Sequence, residues 1–155
     1  MLADDIPVAH TPEGGYGDDM PPPILAGCTE PLAVGVPDIR GTWRAVSVTW
    51  KRPTPPDPDP VAGHVERIEQ CGDRICITST GVIHDMRADG TIERGVNDVG
   101  PDGRPVSVAC TFEDGVHVLR PAGMPGVEVT RRLDGDQIIW EYGPLFVARL
   151  ERVAR

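Results

Sequence analysis

From Ile39 to Val153 the chain alternates short apolar and polar runs, broken about every eight to ten residues by Gly, Asp or Pro. Period-two alternation interrupted at that spacing predicts antiparallel strands joined by tight turns. No stretch of the chain carries convincing helical periodicity. Strands are predicted over 39–51, 63–71, 74–80, 82–87, 91–98, 105–113, 115–120, 126–133, 136–142 and 146–153. Asp89-Gly90, Asp102-Gly103, Asp114-Gly115 and Asp134-Gly135 each supply a residue pair that tolerates positive φ in a hairpin. The fold class that follows is all-β: an antiparallel up-and-down barrel of about nine to ten strands, with an interior large enough for a ligand.

Register assigns faces, because a slip of one residue turns every side chain over. A two-residue loop at Asp134-Gly135 sets Arg131 opposite Ile138 and gathers Val127, Val129, Arg131, Ile138, Trp140 and Tyr142 on the apolar, inward face. Arg131 is the anomaly of that face. With Val118 opposite Val129, Val116, Val118 and Arg120 also point in, and His117 and Leu119 point out. A three-residue loop over Gly143 to Leu145 turns Phe146, Ala148 and Leu150 inward.

Residues 1–36 differ in kind from the barrel segment 37–155. They are rich in Pro, Gly and Asp, with Pro21-Pro22-Pro23 in the middle, and read as an extended arm. The apolar pieces Ile24-Leu25-Ala26 and Pro31-Leu32-Ala33-Val34 predict that its second half docks on the barrel, with one mouth as the place for it to cover. Between 53 and 60, five prolines forbid helix and central strand and predict an extended loop.

The net charge is -9, and the arm, with six acidic residues and no Lys or Arg, holds about six of those charges. That balance argues against nucleic acid and anionic membranes as partners. No run approaches the roughly 18 apolar residues of a membrane helix, and the first residues lack the basic and apolar regions of a signal peptide. Leu25-Ala26-Gly27-Cys28 spells a lipoprotein cleavage box, but an acidic, proline-rich stretch precedes it. The reading is cytoplasmic, with Cys28, Cys71, Cys76 and Cys110 reduced. The alternative is a bridge between Cys71 and Cys76 across a hairpin. The spacing of these cysteines offers no metal site.

Several residues then carry a likeness. Gly41-Thr42-Trp43, the run Gln70 to Thr78, Phe112-Glu113-Asp114-Gly115-Val116 and the run Val129 to Asp136 follow one another in the order and spacing of the calycins. From about Asp38 to its end the chain resembles that superfamily of lipocalins and fatty-acid-binding proteins, the fatty-acid-binding branch most of all. The resemblance implies a hydrophobic ligand inside the barrel, held at its carboxylate by an interior arginine, here Arg131. It also implies that Trp43 plugs the closed end, under Arg149 or Arg152. The chain departs from the family in two places. Ala148 and Leu150 stand where an Arg-x-Tyr pair usually grips the carboxylate, and the proline loop replaces the helical lid. The further glycines of the haem-binding nitrobindin branch are missing, so no cofactor is expected.

The residues expected to bind ligand are Arg131, Trp140, Tyr142, Arg120 and Phe146. An inward arginine must meet a carboxylate, from a ligand or from the protein itself. His84, on the face of Val82 and Met86, and Tyr142 are the candidate acid–base groups; His10 and His64 lie in or beside loops and carry no signal. The expected function is binding of a small, mainly hydrophobic or amphipathic molecule, with a carboxylate as its candidate head group. The alternative is an isomerase, lyase, hydratase or cyclase working in the same interior. A homo-oligomer is compatible with the sequence.

Overall fold

The computed structural model describes residues 1–155. Ten strands follow one another: β1 (Gly41–Trp50), β2 (Val65–Cys71), β3 (Arg74–Ser79), β4 (Val82–Arg87), β5 (Val96–Val99), β6 (Pro105–Glu113), β7 (Val116–Pro121), β8 (Val129–Asp134), β9 (Gln137–Tyr142) and β10 (Phe146–Ala154). They form one antiparallel sheet in the order β4-β3-β2-β1-β10-β9-β8-β7-β6-β5. Apart from β1 beside β10, every neighbour in space is a neighbour in sequence, as an up-and-down barrel requires. A single 3-10 turn, Ala3–Asp5, is the helical content. No helix is long and apolar enough to cross a membrane.

The barrel closes between β4 and β5 without a strand ladder. The Arg87 amide donates to Arg94 O at 2.8 Å, the His84 Nε2–H to Val99 O at 2.8 Å, and the arm spans the seam at Thr11. The Thr11 amide donates to Asp98 Oδ2 at 2.9 Å while its hydroxyl accepts from the Ile83 amide at 3.0 Å. Strand β5 is shorter than the alternation predicts. Asp89 Oδ1 takes both the amide and the hydroxyl of Thr91 and holds that residue in a turn.

Register decides what faces the lumen. The β8–β9 loop is Gly135-Asp136, so Arg131 pairs with Trp140 and not Ile138. That shift of two keeps the inward set unchanged. In β7 the shift is odd: Leu119, not Val118, pairs with Val129, and His117 pairs with Arg131. Two successive turns, Met124 amide to Pro121 O and Val127 amide to Met124 O, absorb the extra residue. His117 and Leu119 therefore face inward. Val118 and Arg120 face outward, and Val127 stays outside the strand.

One end of the barrel is plugged. Trp43 is fully buried, its indole N–H donates to Ile39 O at 3.0 Å, and the Arg152 guanidinium lies 4.5 Å over its ring. Ile68, Ile75, Ile138, Leu150 and Ala45 pack around it. The lower lumen is thus occupied by side chains, which confines any ligand volume to the other end.

The arm climbs β4, turns at the far rim and returns along β2. Ala9 donates to Asp85 Oδ2 at 3.0 Å, Tyr16 to Gly81 O at 2.8 Å, Leu25 to Glu69 Oε1 at 2.8 Å, and Ala33 to Gly72 O at 3.0 Å. It covers the outer wall of β2–β4, and only its tip reaches the mouth; the expectation of a cover across that mouth is corrected. At the tip Gly15 has φ +76, and a Cβ there would stand 2.9 Å from Gly81 O. Cys28 and Cys71 form a disulfide, with Cα atoms 5.9 Å apart, which corrects the expectation of four reduced thiols. The Cys71–Cys76 alternative also fails, because the hairpin turn sets Arg74 opposite Cys71 and Glu69 opposite Cys76.

Candidate functional site

Strand β8 aims Arg131 into the lumen, and β2 aims Glu66 at it from the opposite wall. The Arg131 Nε–H and Nη2–H donate to Glu66 Oε2 and Oε1, each at 2.8 Å, in a parallel two-bond fork. Both side chains are buried. The carboxylate that the inward arginine demands thus comes from the protein itself. Burial pushes the Glu66 carboxyl up, but the attraction of Arg131 and the hydrogen bonds from His64 and Arg131 outweigh it and hold the group at about 2.

His64 completes the group. It lies at the end of the loop that follows the prolines and presents Nε2 to Glu66 Oε1 at 2.8 Å. Its ring stacks 4.7 Å from Trp140. Trp140 in turn lies 4.9 Å from the Arg131 guanidinium and edge-on to Phe146 at 4.9 Å. Trp50 at 5.2 Å and Tyr142 at 5.8 Å from Phe146 complete an aromatic collar above the ion pair. Trp50 also donates its indole N–H to Asp59 Oδ2 at 2.9 Å, which pins the proline loop to the rim.

Two buried polar atoms in this lumen have no partner: Trp140 Nε1 and His117 Nδ1. Buried donors are rarely left unpaired, so each marks a place where a ligand or water belongs. His117 also sets its Nε2 3.2 Å from Cys110 Sγ, but this is not a reactive thiolate–imidazolium pair. Burial and the Arg131 charge, against the pull of Glu66, lower the imidazole to about 3. Burial, first among its causes, pushes the Cys110 thiol up.

A concavity of about 390 Å³ opens beside His64. The arm tip with Asp18 and Asp19, the loop around His64, and the β3–β4 turn form its walls. His64 belongs to both the groove and the collar.

Arg131, Trp140, Tyr142 and Phe146 therefore lie together. Arg120 does not: it is on the outer surface, where its guanidinium bonds Glu113 and Glu128, and its expected ligand contact is corrected. His84 faces inward at the seam with its ring committed to Val99 O. Glu66, His64 and His117 escaped sequence reasoning. Glu66 meets Arg131 and His64 meets Trp140, partners distant in sequence, and His117 was masked by the odd shift in β7.

The architecture now has known counterparts. Human cRBP IV superposes with a TM-score of 0.55 and 18% identity, over 76% of this chain and 99% of that one. A zebrafish ileal bile acid-binding protein complexed with cholic acid gives 0.58 and 16%, over 74% and 98%. The chain shares the barrel fold of these two proteins. No family model matches the chain, and neither does any curated protein sequence. The barrel, as this chain builds it, carries an arm and a lumen crossed by a wall-to-wall ion pair.

Proposed function

We propose that the protein binds a small, mainly hydrophobic molecule at the mouth end of its barrel, between the aromatic collar and the groove. The observation that carries this reading is the collar itself: four packed aromatic side chains reach a buried ion pair through Trp140 and leave its indole N–H unpaired. Such sites pair apolar walls with a few placed polar groups. The bile acid-binding counterpart, complexed with cholic acid, supports the same use of the fold. Because Glu66 already grips Arg131, the polar end of the ligand meets His64 and Trp140 Nε1 in place of a free guanidinium. The Cys28–Cys71 bond supports an oxidising compartment over the cytoplasm, where thiol buffers keep such pairs reduced.

Native mass spectrometry of protein from its own cells tests the reading. A retained small molecule, lost on denaturation and lost in a folded Trp140→Ala variant, is expected. A bare mass together with no tryptophan quenching by 1-dodecanol would refute it.

A second reading, an isomerase, lyase, hydratase or cyclase in the same site, is favoured by the His64–Glu66 pair. With its Nε2–H given to a fixed carboxylate, the imidazole keeps Nδ1 as a proton acceptor. Turnover lost in His64→Gln while affinity survives would select it.

A further inference from the structure

We infer that the ligand of this lumen ends in an uncharged oxygen, a hydroxyl or a carbonyl, that accepts the Trp140 indole N–H. The inference rests on the binding reading above and adds the chemistry of the head group.

Strand register lays inward side chains in rows above the Trp43 plug. In the lower row Val48, Ala148, Trp140, Arg131, His117 and Phe112 stand side by side across β1, β10, β9, β8, β7 and β6. Trp50, Tyr142 and Leu119 belong to the next row, one step nearer the mouth. Val48, Phe112, Trp50, Tyr142 and Leu119 all face inward, yet each is only partly buried. Open space therefore reaches down to the lower row.

That row carries the unmatched polar atoms. Trp140 Nε1 and His117 Nδ1 have no partner, belong to buried side chains, and flank Arg131 on its two sides. An indole N–H only donates, so an acceptor has to meet it, and an ammonium head has no lone pair to offer. The charge of the acceptor follows from its neighbours. Glu66 already matches the charge of Arg131, and His117, kept neutral by burial and by the Arg131 charge, adds none. A carboxylate in this row would be a second anion sharing one guanidinium with Glu66, and burying an unmatched charge costs more than one hydrogen bond returns. A hydroxyl or carbonyl oxygen takes the N–H without that cost.

Three ligands sharing one chain length test this on the intact protein at pH 8, read by tryptophan quenching: 2-dodecanone, 1-dodecanol and dodecanoate, each kept monomeric. The ketone and the alcohol are expected to bind alike and about tenfold tighter than dodecanoate. Trp140→Phe keeps an aromatic ring and removes the N–H. It should weaken the ketone and the alcohol about fivefold to tenfold, the loss of one hydrogen bond, and barely move dodecanoate, whose head stays outside. The carbonyl stretch of bound 2-dodecanone should lie at lower frequency in the wild type than in Trp140→Phe. The order of the three ligands is read on the wild type alone and so decides even where the variant fails to fold. Dodecanoate binding as tightly as the alcohol or tighter, or a ketone whose affinity or carbonyl stretch is unchanged in Trp140→Phe, overturns the inference and leaves the hydrophobic site standing. If none of the three binds, the binding reading itself falls, and this inference with it.

Discussion

Two buried arginine–carboxylate forks stand on opposite sides of the same wall. Outside, Arg74 binds Asp85 through Nε and Nη2 at 2.8 and 2.6 Å; inside, Arg131 binds Glu66 in the same fork. They differ in what remains. Arg74 gives its other N–H groups to Ala3 O, Ile6 O and Pro7 O, and Asp85 also accepts from Ala9. Every donor of that guanidinium is used, two by Asp85 and three by backbone carbonyls of the arm. Arg131 spends only its Nε and one Nη on Glu66, in a lumen that also holds two orphaned nitrogens. The same ion pair is thus a completed fastener in one place and an unfinished polar site in the other.

Replacing each pair by apolar side chains of similar volume breaks the comparison most sharply. In R74M/D85L the carbonyls of Ala3, Ile6 and Pro7 and the Ala9 amide lose their partners. A cost of about 3–5 kcal/mol in urea unfolding is expected, with early proteolysis within residues 1–12. E66L/R131M removes two charges that serve no other backbone group, so stability should stay within about 1 kcal/mol of wild type or rise, while ligand binding is lost. Equal losses from both double variants would show that the two forks do the same work.

The second prediction asks how much of the arm the outer fork holds by itself. Cys28 and Cys71 are separated by 43 residues, and C28S/C71S is expected to cost about 2–4 kcal/mol. The loss should concentrate in the returning leg, seen as faster hydrogen exchange at Leu25 and Ala33, with the climbing leg at Ala9 and Thr11 still protected by Asp85 and Asp98. Affinity for 1-dodecanol should not move. A change in affinity would tie the arm's covalent anchor to the mouth and erase the separation between wall and lumen.

The outer fork and the inner one were also unequally legible in the sequence. Alternation and Asp-Gly turns carried the barrel, its strand number and nine of its ten strands to within a few residues, because period two and turn chemistry are local. Arg131 faces inward in the expected register and in the observed one, since a shift of two preserves parity. Its partner Glu66 was invisible: β2 and β8 meet across the lumen with 65 residues between the two side chains, and no periodicity reports such a contact. A single residue in the Pro121–Gly126 connection reversed β7, hiding His117 and sending Arg120 to the wrong face. The arm's path was equally out of reach, because it is held by side-chain bonds from Arg74, Asp85 and Glu69 to backbone groups of a segment without pattern of its own.

The smallest expected effect separates the forks by pH. In the unfolded chain His117 titrates at its ordinary 6.5, and in the lumen at about 3; between those values the unfolded state binds the extra proton. Stability therefore falls as pH drops through that window, by about 1.4 kcal/mol per pH unit for this one group. Glu66, lowered from 4.5 to about 2, adds its own loss below about 4.5, in the same direction. In His117→Gln the decline should flatten between pH 6.5 and 4.5 and remain below 4.5, where Glu66 takes over. R74M/D85L, which leaves the lumen untouched, should keep the wild-type slope throughout. Urea midpoints taken across pH 3 to 7 for the three proteins decide it. A flattened slope in R74M/D85L, or an unchanged one in His117→Gln, would place the acid-sensitive element on the outer wall.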